Sequence, residues 1–316
     1  MASTEPQSNR GKSIIFVHGR GRKPDAESLQ ALWAQSLRAG IARDFADSST
    51  LAAFDATNLS IAYYGDLSNH HRALRGATYD EALDSADLQN TLQALTSLKN
   101  AKKFRRASYE RLPGRSSLKE FLADISAPVL STLRLTDLAL ARHMPEVSAY
   151  WNDKEGFTQL ARQRVSERLQ EALARGDEVL LLAHCLGSVI AYDTLWELSH
   201  VQGRQDKLST WITFGSPLGD EFVKRQLLGA QRTGTERYPT NILNWHNIAA
   251  EDDFTCHDET VANDFSHMQD KRMLSRIRDY RIYNLAVRYG KSNPHSFMGY
   301  LVHPRMTKLV ADWLSA

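Results

Sequence analysis

Three residues able to carry nucleophilic chemistry stand far apart in the chain, each beyond an apolar run. Cys185 follows "EVLLLAH", Asp253 follows "NWHNIAAED", and His295 follows "RIYNLAV" after a short loop. In chain order they are a nucleophile, a carboxylate and an imidazole. A thiol ordinarily titrates at about 8.5, so at neutral pH it needs help to become the attacking thiolate. A helix N-terminus and a nearby imidazole both give that help. The residues after Cys185, "LGSVIAYDTLWELS", have the pattern of a helix that starts at Leu186. A thiol, a carboxylate and an imidazole are the residue types that nucleophilic catalysis through a covalent intermediate uses.

Each position has a competing reading. Cys185 could be an inert buried filler. Asp252 stands one residue before Asp253, and loop registers slip. His303 precedes Pro304 at a helix start, where a capping or surface role is expected. His18 reads as a residue that shapes its turn by hydrogen bonding, and Asp258 and Asp264 as solvated loop acids. "HGRGRK" (residues 18–23) lacks the third glycine and the G-K-[ST] ending of a phosphate loop. Cys185, Cys256, His257 and His295 match no standard zinc spacing, so no metal or cofactor is expected. A Cys185–Cys256 disulfide is a further remote option, and Cys256 is expected to be a loop residue.

These residues need a scaffold that brings strand ends together. "SIIFVHG" (13–19) and "NLSIAYYGD" (58–66) read as strands, with "DAESLQALWAQSLRAG" (25–40) as a helix between them. Leu29, Leu32, Trp33 and Leu37 form its apolar face, with Asp25 the expected cap and Gly40 the expected stop. A helix on "FTQLARQRVSERLQEALARG" has Phe157, Leu160, Ala161, Val165, Leu169, Ala172 and Leu173 on one side. Strands on "EVLLLA", "LSTWITFGSP", "NILNWHNIA" and "DYRIYNLAV", and a closing helix on "PRMTKLVADWL", complete the set. Strand–helix–strand alternation implies a doubly wound, mostly parallel α/β sheet, whose ligands bind at the carboxyl ends of the strands. Residues 67 to about 155 interrupt the rhythm as a polar, helical insertion.

Composition narrows the class. The chain has 316 residues, 39 Lys+Arg against 37 Asp+Glu, and two cysteines, so neither nucleic acid nor a disulfide scaffold is indicated. Residues 99–119 hold eight basic residues and one acid, which reads as a solvated helical face with possible affinity for an anionic lipid surface or acidic substrate. No stretch is long and apolar enough to span a bilayer, and the polar "MASTEPQSNRGK" is expected to be a disordered tail, 1–12, with no secretory signal. A cytoplasmic protein with one domain over 13–316 is expected.

Ala183-His184-Cys185-Leu186-Gly187 resembles the nucleophile elbow of the α/β-hydrolase superfamily, written G-x-S-x-G, with alanine for the first glycine and cysteine for the serine. "IIFVHGRG" is similar to that family's oxyanion loop, "TFGSPLG" to the strand after the elbow, "NWHNIAAEDDF" to the acid loop and "NPHSFM" to the histidine loop. The resemblance covers residues 13–66 and about 157–316. It implies an α/β-hydrolase fold with the insertion as a cap or lid, a triad of Cys185, Asp253 and His295, and an oxyanion hole from the backbone N–H groups of Arg20 and Leu186. It favours Asp253 over Asp252 and makes His184 a support for the elbow. The substrate implied is a small-molecule ester, thioester or lactone, lipid-like or anionic, since a thiolate is both a good nucleophile and a good leaving group. The alternative is a hydrolase scaffold disabled by loss of its serine, native or engineered, that binds a ligand or partner.

Overall fold

The computed structural model describes residues 10–46, 48–73, 80–114, 145–152, 156–256 and 260–316. Six strands form one sheet: β1 (Lys12–Val17), β2 (Asn58–Ala62), β3 (Glu178–His184), β4 (Leu208–Phe214), β5 (Ile242–Ala250) and β6 (Arg276–Ile282). Their order is β2-β1-β3-β4-β5-β6, and every neighbouring pair is parallel. The chain steps one way from β1 to β2, then crosses back to β3 on the other side of β1. The loops after β1 and β3 therefore leave adjacent strands in opposite directions, which opens a crevice at their carboxyl ends. A short antiparallel pair, β7 (Val287–Arg288) and β8 (Lys291–Ser292), lies outside the sheet.

The helices are α1 (Ala26–Asp44), α2 (Ser48–Asp55), α3 (Gly65–Ala73), α4 (Glu81–Thr96), α5 (Arg106–Tyr109), α6 (Pro145–Trp151), α7 (Phe157–Ala174), α8 (Leu186–His200), α9 (Glu221–Gln226), α10 (Val261–Asp264), α11 (Ser266–Asp270), α12 (Phe297–Leu301) and α13 (Pro304–Leu314). Side chains of a strand alternate between faces, and here both faces are covered. Ile14 and Phe16 pack with Trp33 and Leu37 of α1 and Met306 and Val310 of α13. Ile15 and Val17 pack with Val165 and Leu169 of α7 and Val189 and Ile190 of α8. The uninterrupted apolar runs of β1 and β3 follow from this two-sided burial.

Asp25 caps α1 by accepting from Ser28 N, as its position implied. Gly40 does not end that helix, which continues to Asp44. A Cβ at Gly40 would lie 2.6 Å from Thr307 Cγ2 and 3.0 Å from Val302 O, so the glycine lets α13 approach α1. On α7, Leu160 is 40% exposed and falls outside the buried face, where Thr158 is buried instead. β6 begins and ends earlier than the expected 279–287, because Asn284 turns the chain out of the sheet by donating to Pro294 O and Ser296 O.

The described residues of 67–155 form the rest of α3 and the helices α4, α5 and α6 with turns between them, and 74–79, 115–144 and 153–155 lie outside the described residues. Leu88, Leu92 and Leu95 of α4 join Phe104, Tyr109, Met298 and Val302 in a third apolar cluster beside α12. Lys99, Lys102, Lys103, Arg105 and Arg111 are exposed on this region, while Phe104 and Tyr109 are buried beneath them. No helix among the described residues is long and apolar enough to cross a membrane.

Candidate active site

Cys185 sits at the strand-to-helix turn between β3 and α8 with φ 53 and ψ −126. A non-glycine residue is strained there, so the surroundings must hold it. Cys185 N donates to Phe214 O at 3.1 Å, and Cys185 O accepts from Ser188 N at 3.0 Å and Ser188 Oγ at 2.6 Å. Ser188 Oγ is in turn 2.7 Å from Ser216 Oγ, which follows β4. The turn also needs small neighbours. A Cβ on Gly187 would lie 2.4 Å from His18 O and 2.6 Å from Val17 O, and one on Gly19 would lie 2.6 Å from Cys185 Cβ. Ala183 fits where the resembled pattern has glycine, because it is an ordinary β3 residue paired with Val17 and Thr213.

Asp253 follows β5 and His295 follows β6 and the β7–β8 pair. His295 Nδ1 is 3.0 Å from each carboxylate oxygen of Asp253, so this nitrogen carries the proton and Nε2 is the basic nitrogen of the ring. Thr255 N donates to Asp253 Oδ1 at 3.0 Å, and Tyr300 OH donates to Oδ2 at 2.6 Å. Burial pushes the Asp253 carboxyl up, but His295 and the hydroxyl and amide donors outweigh it and hold it below its usual range.

The thiol and imidazole shift one another. Burial raises the Cys185 thiol, while the charge of His295, its hydrogen bond, and the charge and backbone N–H of Arg20 outweigh that and bring it to about 7. Burial lowers His295, while the negative charges of Asp253 and Cys185 outweigh that and raise it to about 9. Each group thus favours the charged form of the other, thiolate at Cys185 and imidazolium at His295. Leu186 opens α8, whose first N–H groups have no acceptor within the helix. The N–H of Arg20, directed at the sulfur, belongs to the loop after β1, across the crevice.

That loop is braced from within. Lys23 Nζ donates to Arg20 O at 2.6 Å and Gly21 O at 3.1 Å. His18 Nε2 accepts from Tyr64 N at 3.0 Å, which leaves Nδ1–H to donate to Gly19 O at 3.0 Å. Burial depresses the His18 imidazole to about 3, so it shapes the turn as a neutral ring. His184 Nε2 donates to His295 O at 3.1 Å, and the two rings lie 4.6 Å apart. Burial keeps His184 neutral as well.

The competing positions resolve by contact. Asp252, with φ 61, accepts from Tyr109 OH at 2.8 Å and is held toward α5, so Asp253 meets His295. His303 caps α13 by accepting from Arg305 N at 3.0 Å, and it is buried, with burial lowering it to about 3. Asp264 is not a solvated acid: it is half-buried and pairs with Lys224 at 2.8 Å. Asp258 and His257 lie outside the described residues. Both cysteines are free thiols, and no cluster suited to a metal occurs among the described residues. Sequence reasoning did not find Tyr300, Ser188 or Lys23. Tyr300 sits in the apolar run "FMGYLV" and has the pattern of a core residue, so nothing local marked its hydroxyl.

No protein-family model matches the chain, and no curated protein or solved structure matches it.

Proposed function

We propose that the protein is an α/β-hydrolase that cleaves ester, thioester or lactone bonds with Cys185 as nucleophile. The hydrogen bond of His295 to Asp253 on one side and its mutual electrostatic pull with a strained Cys185 on the other carry the reading. The order of elements supports it, since nucleophile, acid and histidine follow β3, β5 and β6 of one parallel sheet, with the Arg20 loop after β1.

The Cys185 thiolate attacks the acyl carbon, forming a C–S bond. The oxyanion is received by the N–H groups of Leu186 and Arg20, each such donor contributing about 3 kcal/mol to the transition state. Collapse breaks the bond to the leaving oxygen or sulfur, which takes the proton from imidazolium His295. A water then gives its proton to His295 and attacks the thioester, and Cys185 leaves as thiolate. Asp253 holds the imidazole throughout and stabilises its charge. Arg20 and Lys23, whose charges act on this pocket, favour a substrate with a negative group. The helical segment after β2 would serve as its cap.

The test is hydrolysis of 4-nitrophenyl acetate and a short acyl thioester, with intact-mass detection of the acyl adduct. Turnover with an adduct on Cys185, both lost in Cys185→Ala, is expected. Full activity in Cys185→Ala would sink the assignment. No turnover with either substrate, but a large gain in Cys185→Ser, would instead favour a disabled serine-hydrolase scaffold.

A further inference from the structure

We propose that Tyr300 is a positioning residue for the Cys185–His295–Asp253 relay, its hydroxyl fastening the Asp253 carboxylate to the end of β5. The inference rests on the hydrolytic reading of that relay. Tyr300 belongs to α12, five positions after His295. Its hydroxyl accepts from Ala250 N at 2.9 Å and donates to Asp253 Oδ2 at 2.6 Å. Because the backbone N–H can only donate, the phenol's one proton is committed to the carboxylate. A single oxygen thus joins the acid strand to the helix that follows the histidine loop.

The geometry explains why this matters. His295 Nδ1 lies 3.0 Å from both oxygens of Asp253, a symmetric approach that leaves the carboxylate free to rock unless each oxygen is tied elsewhere. Thr255 N ties Oδ1 and Tyr300 OH ties Oδ2. The tyrosine ring is fully buried against Phe214, with centroids 5.5 Å apart, and would fill the core without its hydroxyl. The hydroxyl, and not the ring, carries the proposed role. Its other neighbour, Cys256 Sγ, is 3.9 Å away and competes weakly. Burial and the adjacent Asp253 push the phenol well up, so it stays protonated and the donor persists at neutral pH.

Tyr300→Phe removes the hydroxyl and keeps the ring. The expected result is a fall in kcat of about tenfold with KM unchanged, since the substrate is not touched. The His295 imidazolium, followed by NMR titration, should gain about half a pKa unit, because a carboxylate with one donor fewer accepts more strongly from it. In an Asp253→Asn background the same change should cost less than about twofold, as for two residues acting through one contact. A tenfold loss in that background, or an unmoved His295 titration, would overturn the proposal. Incorporation of 3-fluorotyrosine at position 300 keeps every contact and makes a stronger donor, so it should move His295 the opposite way; the same direction as Tyr300→Phe would also overturn it. If no substrate is turned over, the cycle is read on the rate of Cys185 alkylation by iodoacetamide at pH 6.5. That rate needs no hydrolysis, so failure of the positioning role is visible apart from failure of the hydrolytic reading.

Discussion

Cys185 and Cys256 are almost equally hidden, at 2% and 4% exposure, yet their thiols are driven in opposite directions. Burial disfavours the thiolate at both. At Cys185 the imidazolium of His295 and the charge and N–H of Arg20 reverse it, and the thiol falls to about 7. At Cys256 burial comes first and the negative charge of the Asp253 carboxylate adds to it, and together they push the thiol well up. The backbone differs in the same sense. Cys185 occupies a left-handed turn at the mouth of a helix, whereas Cys256 closes a short 3-10 turn, Phe254–Cys256, beneath Tyr300. The direction of each shift depends on which end of the Asp253–His295 pair acts on the sulfur.

The sharpest way to break this comparison is to label both thiols at once. Iodoacetamide at pH 7 should modify Cys185 first, and Cys185→Ala should slow total labelling by about a hundredfold, given that only thiolate reacts. Cys256→Ala should leave the fast phase within about twofold. Preferential labelling of Cys256 in peptide mass mapping would invert the comparison.

A smaller effect isolates the cause. The Cys185 thiol is lowered, so its thiolate is present above about pH 7 and is lost as pH falls through that value. His295→Asn removes the imidazolium, and burial then acts unopposed by its largest counterweight. The labelling midpoint should rise by at least about one unit, a tenfold loss of rate at pH 6.5. A midpoint that stays near 7 would assign the shift to Arg20 and the α8 terminus instead.

The smallest expected effect separates the adjacent acids. Tyr109→Phe takes the hydroxyl from Asp252, one residue before the acid that meets His295. It should cost about 1 kcal/mol in urea unfolding, the usual worth of one hydrogen bond, with the Cys185 labelling rate unchanged. A labelling change above threefold would show that the two acids are coupled through the loop.

Much of this molecule was legible before any contact was known. β1, β3 and β4 announced themselves as apolar runs because both of their faces are buried, and α13 matched its expected span from Pro304 to Leu314. Cys185 stood out because small residues flank it at fixed offsets where a strand turns into a helix. Other features had no local trace. Gly40 has the look of a helix stop, and its real role depends on Thr307. Leu160 fits the apolar stripe of α7 by period yet points away from the core. Tyr300 differs from a packing aromatic only through a hydroxyl whose partner lies 47 positions away.

The sequence by itself determined the order of strands and helices, the two-sided burial of the sheet and the succession of thiol, carboxylate and imidazole. Those follow from local periodicity and turn chemistry, which act over a few residues. Only the tertiary structure decided that Asp253 and not Asp252 meets His295, which imidazole nitrogen keeps its proton, and which of two buried thiols is lowered. Asp253 and His295 are separated by 42 positions, and protonation responds to distance and burial in space. Neighbours in sequence such as Asp252 and Asp253 point in different directions, so the resemblance could favour Asp253 but only contacts in space fix which acid meets His295.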